Sequence, residues 1–391
     1  KEKRRIMRTL DLLVIDEISM VRSDVLDAID SVLRRFREHD RPFGGVQLLM
    51  IGDLQQLTPV VTPEEEKLLQ QYYDTPYFFG SKALRSISYV TIELTHVYRQ
   101  QDDTFINLLN NIREGHATAA DLQRLNRQCQ PAFQPETGSD YIRLTTHNRM
   151  AESYNEEQLR NLPSKACTFR AETDGNFPEY SYPADFNLTL KKGAQVMFIR
   201  NDNNGRYYNG RIGHVTYVDS SKIVVLCPGD DEAIEVEAET WENTKYTLNE
   251  RTKQIEAEVQ GTFRQYPLRL AWAITIHKSQ GLTFEHAIID AQAAFASGQV
   301  YVALSRCKTL EGLVLASPIS SQAIINDSRV SDYIFHQTEQ AARSIQALPA
   351  LKEEYYRQLL IELFTFSEIK AAEAALFRVL TEFFFKFPKI T

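Results

Sequence analysis

The hydrophobic pattern near the start of the chain changes its period within a few residues. Four consecutive apolar residues, Leu12 to Ile15, run directly into Asp16 and Glu17. A run that is apolar on both faces predicts a buried strand of a parallel sheet. The apolar side chains then recur every three or four residues as far as Phe36, which predicts an amphipathic helix. The sequence therefore predicts a strand followed by a helix, with two carboxylates at the carboxyl end of the strand.

Two further apolar runs also end in polar residues. The run 46–51 leads to Asp53 and Gln56, and the run 88–94 leads to Arg99. Because open α/β sheets bind ligands at the carboxyl ends of their strands, we expect these groups and the Asp-Glu pair to line one site. Paired carboxylates suit a magnesium nucleotide, in which one holds the water shell of the metal and the other polarises an attacking water. A surface turn is the alternative for the Asp-Glu pair taken alone.

The second half of the chain predicts another α/β region, interrupted by short strands. Helical periodicity covers 105–125 with a break at Gly115, and a strand at 142–148 leads into a helix at 150–162. Short apolar runs alternate with turns through the segment 190–265, which predicts a small all-β element. The acidic residues of this segment favour a solvated face over a metal site. A further buried strand is predicted at 287–290.

Polar residues at two places in this second region suit a nucleic-acid backbone. The candidates for phosphate contact are Thr146, His147, Asn148, Thr275, His277, Lys278 and Ser279. The first three lie where a strand meets a helix, so a simple helix cap is an equal alternative for them. The others precede Gly281 in a segment that is too polar for a buried run. Their hydroxyl and ammonium groups suit phosphates and a nucleotide.

Composition narrows the function classes only slightly. The chain has 391 residues, of which 43% are hydrophobic and 25% charged, as in ordinary globular proteins of two to four domains. A net charge of −8 argues against a protein that coats nucleic acid through bulk charge, but not against a local basic groove. The four cysteines have no Cys-x-x-Cys spacing, which favours reduced thiols. No apolar run reaches the roughly 18 residues of a membrane span, so no membrane partner is expected.

Several of these segments resemble the motifs of a known family. Asp16-Glu17-Ile18-Ser19, Gly52-Asp53-Leu54-Gln55-Gln56-Leu57 and Tyr98-Arg99-Gln100 are similar, in this order, to motifs of superfamily-one DNA helicases of the Pif and RecD branch. The segments 270–283 and 299–307 continue the similarity, which extends over residues 1–320. Propensity alone favours a strand at 299–307, whereas the resemblance implies a helix.

The resemblance implies an α/β fold class with two RecA-like P-loop NTPase motor domains, an inserted small β-barrel and a helical C-terminal tail. The first motor domain would comprise residues 1–100, the second 101–190 with 266–318, the barrel 191–265 and the tail 319–391. Apolar stripes in the tail, which include Phe383-Phe384-Phe385, would form a large exposed patch. We therefore expect the tail to pack on a domain that is absent from this chain.

The family also implies an activity. It would be ATP- and Mg²⁺-dependent movement along single-stranded DNA in the 5′-to-3′ direction, with unwinding at junctions between duplex and single strand, in replication, repair or recombination. The implied roles are Asp16 for Mg²⁺, Glu17 as general base, Gln56 as γ-phosphate sensor, Arg99 and Arg306 as arginine fingers, and Gly281 beside the nucleotide. The implied location is the cytoplasm in a bacterium, or the nucleus or mitochondrion in a eukaryote.

One motif of the family has no counterpart in these residues. No Gly-x-x-x-x-Gly-Lys-Ser/Thr phosphate loop occurs in residues 1–391. Since the chain opens on Lys1 and not on Met, we expect a piece of a longer protein whose phosphate loop lies upstream, and we expect this piece alone to be inactive. The alternatives are a non-catalytic DNA-binding module derived from a helicase and a metal-dependent nuclease. The nuclease would need further clustered carboxylates or histidines, and would give the two arginines no role.

Overall fold

The computed structural model describes residues 2–94, 96–136, 138–248, 255–290 and 297–384. The chain divides into two units, one of residues 1–88 with 95–332 and the other of residues 89–94 with 333–391. Helices, parallel sheets and antiparallel sheets are all present, so the fold is mixed α/β as predicted.

The first part of the larger unit alternates between helices and strands. Its elements are α1 Glu2–Thr9, β1 Leu12–Ile15, α2 Ser23–Phe36, β2 Gln47–Met50, α3 Pro63–Leu69, α4 Lys82–Arg85, α5 Asp103–Glu114 and α6 Ala119–Asn126. The strand and helix predicted from the change of period are both confirmed. In α2, Asp24 lies in the first turn and Arg34 and Arg35 lie in the last turn, which suits the helix dipole. The predicted interruption of the next helical stretch is Gly115, the left-handed residue that ends α5.

The prediction that the first two strands are buried on both faces is wrong. Leu12 and Val14 are 45% and 50% exposed, and Leu49 is 47% exposed. Among the described residues, β1 and β2 pair only with each other, in parallel. A two-stranded sheet has few neighbours to cover it, so alternate side chains of both strands remain in contact with solvent.

The predicted strand at 88–94 is also wrong. These residues join no strand ladder, and residues 89–94 belong to the smaller unit. There the hydroxyl groups of Tyr89 and Tyr333 lie 2.9 Å apart, and the Thr91 hydroxyl donates to Gln337 at 2.6 Å. Side-chain contacts therefore hold this segment extended without a ladder.

The second part of the larger unit contains most of the strands. Its elements are β3 Ile142–Thr145, α7 Asn148–Asn161, β4 Cys167–Arg170, β5 Glu172–Gly175, β6 Asn187–Leu190, β7 Gln195–Phe198, β8 Ile212–Val218, β9 Ile223–Leu226, β10 Ile234–Val236, β11 Glu239–Leu248, β12 Ile255–Gln265, β13 Leu268–Leu270, β14 Ala273–Thr275, β15 Ala287–Asp290, α8 Gln299–Ser305 and β16 Leu313–Leu315. The helix implied by the resemblance at 299–307 is confirmed, against the strand propensity of its residues.

A parallel sheet of four strands positions the site residues of this part. Its order is β14-β3-β15-β16, and α5 and α8 pack against it. Phe105, Leu125 and Leu144 are fully buried in the shared core. Burial of each such side chain contributes about 1.5–3 kcal/mol to folding. This core holds the carboxyl ends of β3 and β14, and therefore the candidate residues that follow them, in fixed positions.

The strands between residues 167 and 270 are antiparallel. They form a five-stranded sheet of order β10-β9-β8-β7-β13, a three-stranded sheet β11-β12-β5 and a pair β4-β6. The five-stranded sheet encloses its own core, which includes Val196, Phe198 and Val225. Among the described strands, the hydrogen-bonded order of this sheet ends at β10 and at β13. The predicted closed barrel and the domain boundaries remain predictions.

The smaller unit consists mainly of two helices, α9 Ser328–Leu363 and α10 Ser367–Phe384. Pro349 lies inside α9, and large apolar side chains such as Leu363 and Phe377 are exposed on both helices. The side chains of the predicted cluster Phe383-Phe384-Phe385 lie outside the described residues. Within the described parts of the chain, no helix has the length and apolar character needed to cross a membrane.

Candidate nucleotide-binding site

The turn after β1 holds two carboxylates in a constrained conformation. Glu17 has left-handed backbone angles, with φ 50° and ψ 44°. Its backbone N–H donates to Asp16 Oδ1 at 2.8 Å, and the N–H of Ile18 donates to the carbonyl of Ile51 at 2.9 Å. A residue with a side chain adopts these angles at a cost of about 1–2 kcal/mol, and such strain is concentrated at functional sites. The turn thus ties the carboxylates of β1 to the end of β2.

The segment after β2 presents an amide that is fixed at both of its atoms. Asp53 accepts from the backbone N–H of Gln55 at 3.0 Å and from Gln56 Nε2 at 3.1 Å. Gln56 Oε1 accepts from Arg306 Nη2 at 3.2 Å. Because one atom donates and the other accepts, the orientation of the Gln56 amide is determined by its two partners.

The two candidate arginines both contact α8, and Arg306 also contacts this segment. Arg306 follows α8, is 2% exposed, and donates from Nε to the carbonyl of Val302 at 3.1 Å. Arg99 donates from Nε to the Thr283 hydroxyl at 2.9 Å and from Nη1 to the carbonyl of Ser305 at 3.1 Å. Hydrogen bonds to carbonyls and hydroxyls thus orient both guanidinium groups without neutralising them.

Burial changes the ionisation of the groups around the site. It raises the pKa of Glu17, and the charge of Asp16 adds to this, while the nearby Gln280 amide and Arg306 oppose it. Burial and the neighbouring Arg99 lower the pKa of Arg306 to about 10, so Arg306 still carries its charge at neutral pH. Burial also lowers the pKa of Arg99.

Neither arginine forms an ion pair with the residues that the structure describes. Among the described residues, no carboxylate lies within 4.0 Å of the charged nitrogens of Arg99 or Arg306. A buried charge without a partner is costly, since it loses its hydration without electrostatic compensation. Arg306 lies near Glu17 and Gln56, with Arg99 close to it, and neither guanidinium group contacts a carboxylate directly among the described residues. This arrangement fits an anionic ligand such as the phosphates of a nucleotide.

The carboxylates fit the metal that the sequence implies. Asp16 is exposed at the end of a strand, and one carboxylate with several waters is a usual protein contribution to Mg²⁺ next to phosphates. No group of three or more His, Cys, Asp or Glu side chains that could hold a metal occurs in the part of the chain that the structure describes. The nuclease alternative requires such a group and receives no support from these residues.

The candidate DNA residues separate into exposed and inward-facing groups. Lys278 and Asn148 are exposed, whereas Thr275 and Ser279 are buried. The Ser279 hydroxyl donates to the carbonyl of Ile276 at 2.7 Å, and Thr275 Oγ1 accepts from the N–H of Lys278 at 3.3 Å. These two hydroxyls therefore shape the turn that presents Lys278.

The remaining candidates differ in exposure: Thr146 is buried, and His147 is exposed. His147 precedes α7 but makes no side-chain capping bond, and the Thr146 hydroxyl lies 2.8 Å from its Nδ1. His277 is half-buried, and burial lowers its pKa. Gly281 has φ +76° with open space around it, so the backbone there is accessible to a ligand. The assignment of all these residues to DNA or nucleotide remains a prediction.

Sequence reasoning missed Arg113. Its Nη2 lies 3.2 Å from Asp53 Oδ1, so it neutralises the carboxylate that orients Gln56. Arg113 lies in the last turn of α5, where a cation is an ordinary partner of the helix dipole. The local sequence therefore carries no signal for this contact, which depends on how α5 packs.

Comparisons with known proteins agree with these motifs. Residues 1–123 match the model of the family described as PIF1-like helicase. The human ATP-dependent DNA helicase PIF1 is 37% identical over 349 residues, which are 85% of this chain and 50% of that protein. The Pif1 helicase of Bdellovibrio bacteriovorus is 30% identical over 84% of this chain and 72% of its own length. The chain thus spans about half the length of the human relative.

Solved structures are similar as well. A Bacteroides sp. Pif1 in complex with ADP-AlF4 superimposes with a TM-score of 0.80 and 40% identity, covering 87% of this chain and 78% of that one. Bacteroides Pif1 bound to single-stranded DNA has a TM-score of 0.60 and 42% identity, covering 85% and 76%. Together with the strand-end carboxylates, the oriented glutamine and the two arginines, these similarities show that the chain belongs to the family of PIF1-like helicases.

Proposed function

We propose that this protein is an ATP-dependent DNA helicase that moves 5′-to-3′ along single-stranded DNA and separates duplex at junctions. The observation that carries the proposal is the buried guanidinium group of Arg306, which contacts Gln56 near Glu17 and has the half-buried Arg99 close to it. A general base, an oriented amide and two arginines are among the protein groups that phosphoryl transfer uses, together with a phosphate loop.

The resemblance to helicases implies a role for each of these side chains, and their positions are compatible with those roles. Magnesium ATP, when bound, supplies the bond that is cleaved and a metal that neutralises part of the phosphate charge. Asp16 would hold the metal, and Glu17 would take a proton from the attacking water. Gln56 would contact the terminal phosphate, because its amide is already fixed between Asp53 and Arg306. Arginine fingers supply roughly 10³–10⁵ in rate in related reactions.

A hydrogen bond offers a route from ATP to DNA. Arg99, a candidate finger, donates to Thr283 at 2.9 Å. Thr283 lies just after the segment that presents Lys278. A shift of Arg99 toward a bound phosphate would therefore act on the segment predicted to grip DNA. We infer that hydrolysis and DNA contact are coupled through this bond.

Relatives support the choice of substrate. Two solved Bacteroides Pif1 structures contain single-stranded DNA. A further Pif1 structure concerns unwinding at forked double-stranded DNA by two coordinating helicases. By analogy we propose single strands and forked junctions as the partners of this protein. The same proposal places the protein with cellular DNA, in the bacterial cytoplasm or in a eukaryotic nucleus or mitochondrion. It also assigns the exposed apolar faces of α9 and α10 to packing on a further domain.

The direct test is strand separation by the complete protein. A duplex with a 5′ single-stranded tail should be unwound with ATP, whereas the same duplex with only a 3′ tail should not. Unwinding of neither substrate, together with intact DNA binding, would favour the alternative of a non-catalytic DNA-binding module.

Lys278→Ala tests the DNA side of the proposal. If Lys278 contacts a phosphate, its loss should weaken single-strand binding uniformly across sequences and lower the salt slope of the affinity by about one. Lys352→Ala, an exposed lysine in the smaller unit, is a suitable control. Unchanged affinity, salt slope and DNA-stimulated turnover in the Lys278 variant would remove this lysine from the interface.

A further inference from the structure

A cleft of about 230 Å³ lies beside the candidate DNA residues and takes no part in the nucleotide site. One wall is a single face of α7, and the other is formed by β13, β14 and the turn after β14. The charged side chains that line it are Glu152, Glu156, Asp185, Arg269 and Lys278. Because Ala151 contributes only a methyl group to the helical wall, space remains between the walls.

The direction of the cleft follows from the topology. α7 begins just after β3, at the carboxyl edge of the parallel sheet, so Asn148 lies at the same end as Thr275 and Lys278. The opposite end is fixed by Asn155, whose amide exchanges two hydrogen bonds of 2.8 Å with the backbone of Ala273. The face from residue 148 to residue 156 extends about 12 Å along the helix. The cleft thus runs along α7 from the predicted phosphate contacts at one end to the Asn155–Ala273 contact at the other.

In the described part of the chain, the charged side chains around the cleft are not paired with one another. Among the described residues, none of its three carboxylates forms an ion pair within 4.0 Å, and neither do Arg269 or Lys278. The Nε of Arg269 is buried without any hydrogen-bond partner. The unpaired carboxylates can accept hydrogen bonds, and the unpaired Arg269 and Lys278 can donate them. The cleft therefore suits a ligand that has both donors and acceptors along its edge.

We propose that this cleft receives one unstacked base of the bound single strand and favours bases with an exocyclic amino group. The inference rests on the proposed binding of single-stranded DNA and adds base discrimination to it. Single-stranded nucleic acid is read through such splayed bases, by hydrogen bonds to their polar edges. Carboxylates accept from an amino group such as cytosine N4, and arginine donates to ring acceptors.

The arrangement of charge excludes a phosphate as occupant of the inner part. Glu152, Glu156 and Asp185 would repel an anion there, whereas Lys278 at the outer end would attract one. A nucleotide with its phosphate at Lys278 and its base toward the carboxylates satisfies both ends.

The discriminating experiment compares two bases of nearly the same shape. The complete protein, without ATP, is titrated by fluorescence anisotropy with thymidine oligomers in which one residue at successive positions is replaced by 5-methylcytosine. The two bases share the ring and the methyl group, but only 5-methylcytosine has an amino group at C4. We expect one position at which the replacement tightens binding by about tenfold, within the range of one good base contact.

The double substitution Glu152→Ala and Glu156→Ala tests the residues responsible. It should abolish this preference while leaving the affinity for all-thymidine oligomers unchanged or higher, because two negative charges near DNA are removed. Glu157→Ala is the matched control, since Glu157 is an exposed neighbour on α7 that does not line the cleft. Alanine is favourable in a helix, so the variants should fold, which their melting temperatures verify.

The outcomes separate this inference from the proposed function. Equal binding of the two bases at every position, or a preference that survives the double substitution, would overturn the base-reading cleft and leave the helicase proposal intact. Absence of single-strand binding by the wild-type protein would overturn both.

Discussion

At the scale of single residues, Glu17 combines strain and burial in one side chain. Its left-handed backbone places the carboxylate beside Arg306 and Asp53, and burial raises its pKa. We predict that Glu17→Gln in the complete protein slows ATP hydrolysis by roughly 10²–10⁴, the usual effect of losing a general base, while ATP and DNA binding stay nearly intact. Glu64→Gln, at an exposed position of α3, should have no effect.

The ionisation of Glu17 should also determine how the rate of ATP hydrolysis depends on pH. A base must be ionised to accept a proton, so hydrolysis should fall as the pH drops through the pKa of Glu17. Because that pKa is raised, the loss should begin at a higher pH than for an exposed glutamate.

A Glu17→Gln variant that keeps more than about half of the DNA-stimulated rate would exclude Glu17 as the general base.

Arg113 yields a prediction that the sequence alone did not. Arg113→Ala should leave Asp53 without its counter-charge and loosen the Gln56 amide, which Asp53 orients. Misplacement of a reacting group by about 1 Å can cost roughly 10² in rate, so kcat should fall by one to two orders of magnitude with little change in KM for ATP. Arg113→Lys should recover part of the rate.

Arg124→Ala is the matched control for Arg113. Arg124 is also the arginine in the last turn of its helix, α6, but it is exposed. Equal rates in the two alanine variants would show that Arg113 serves only the helix dipole. Steady-state hydrolysis with saturating DNA and melting curves of each variant together decide between the two roles.

These residues also show what the sequence can and cannot predict about the site. Asp16, Glu17 and Gln56 were recognisable because they follow apolar runs, and strand ends are where α/β sheets bind ligands. Arg113 acts through a contact 60 positions away in the chain, with Asp53. Such a contact depends on how helices pack, so the pattern of apolar and polar residues around Arg113 does not predict it.

At the scale of elements, the wrong predictions concern the burial or pairing of strands, which depends on neighbouring elements. The apolar character of 12–15 and 46–51 was correct for strands but not for burial, because burial depends on what covers the sheet. The segment 88–94 has the composition of a strand, yet it has no ladder. Conversely, α8 is helical despite its valines, because Val302 and Leu304 are buried in the core of the parallel sheet. Packing outweighs propensity there.

Two glycines allow a matched test of how tightly α8 packs against the Gln55–Gln56 segment. Gly298 immediately precedes α8 and has φ +78°, and a Cβ there would collide with the carbonyl oxygen of Gln56. Gly205 has a similar φ of +73°, but open space around it. Both alanine variants carry left-handed strain of about 1–2 kcal/mol, whereas only Gly298→Ala adds a backbone collision, with Gln56.

We therefore expect Gly298→Ala to lower the free energy of unfolding by clearly more than Gly205→Ala does, and to impair hydrolysis in the complete protein. Urea unfolding curves and DNA-stimulated rates measure the two effects. Equal destabilisation by the two substitutions would show that α8 does not pack closely against the Gln55–Gln56 segment.

At the scale of the whole molecule, the order of motifs along the chain identified the family, and the alternation of helix and strand predicted a mixed α/β fold. The sequence did not predict the division into units, in which residues 89–94 join the C-terminal helices. That division depends on contacts such as Thr91 with Gln337, which lie far apart in the chain.

The last prediction concerns residues 1–391 expressed alone. They contain the carboxylates, the oriented glutamine and both arginines, but no Gly-x-x-x-x-Gly-Lys-Ser/Thr segment. In this class of enzyme that loop supplies the backbone N–H groups and the lysine that hold the β- and γ-phosphates. Without it, the terminal phosphate has no fixed distance from Glu17.

We accordingly expect no measurable DNA-stimulated ATP hydrolysis from this polypeptide. Its exposed Leu12, Val14 and Leu49 on a two-stranded sheet should also make it poorly soluble, because uncovered apolar strands promote association. A longer chain that includes a phosphate loop should restore solubility and turnover together, and its Glu17→Gln variant defines the background rate. Robust turnover by residues 1–391 alone would mean that the phosphates are held by other groups, and that the site formed by Asp16, Gln56 and Arg306 has been assigned to the wrong chemistry.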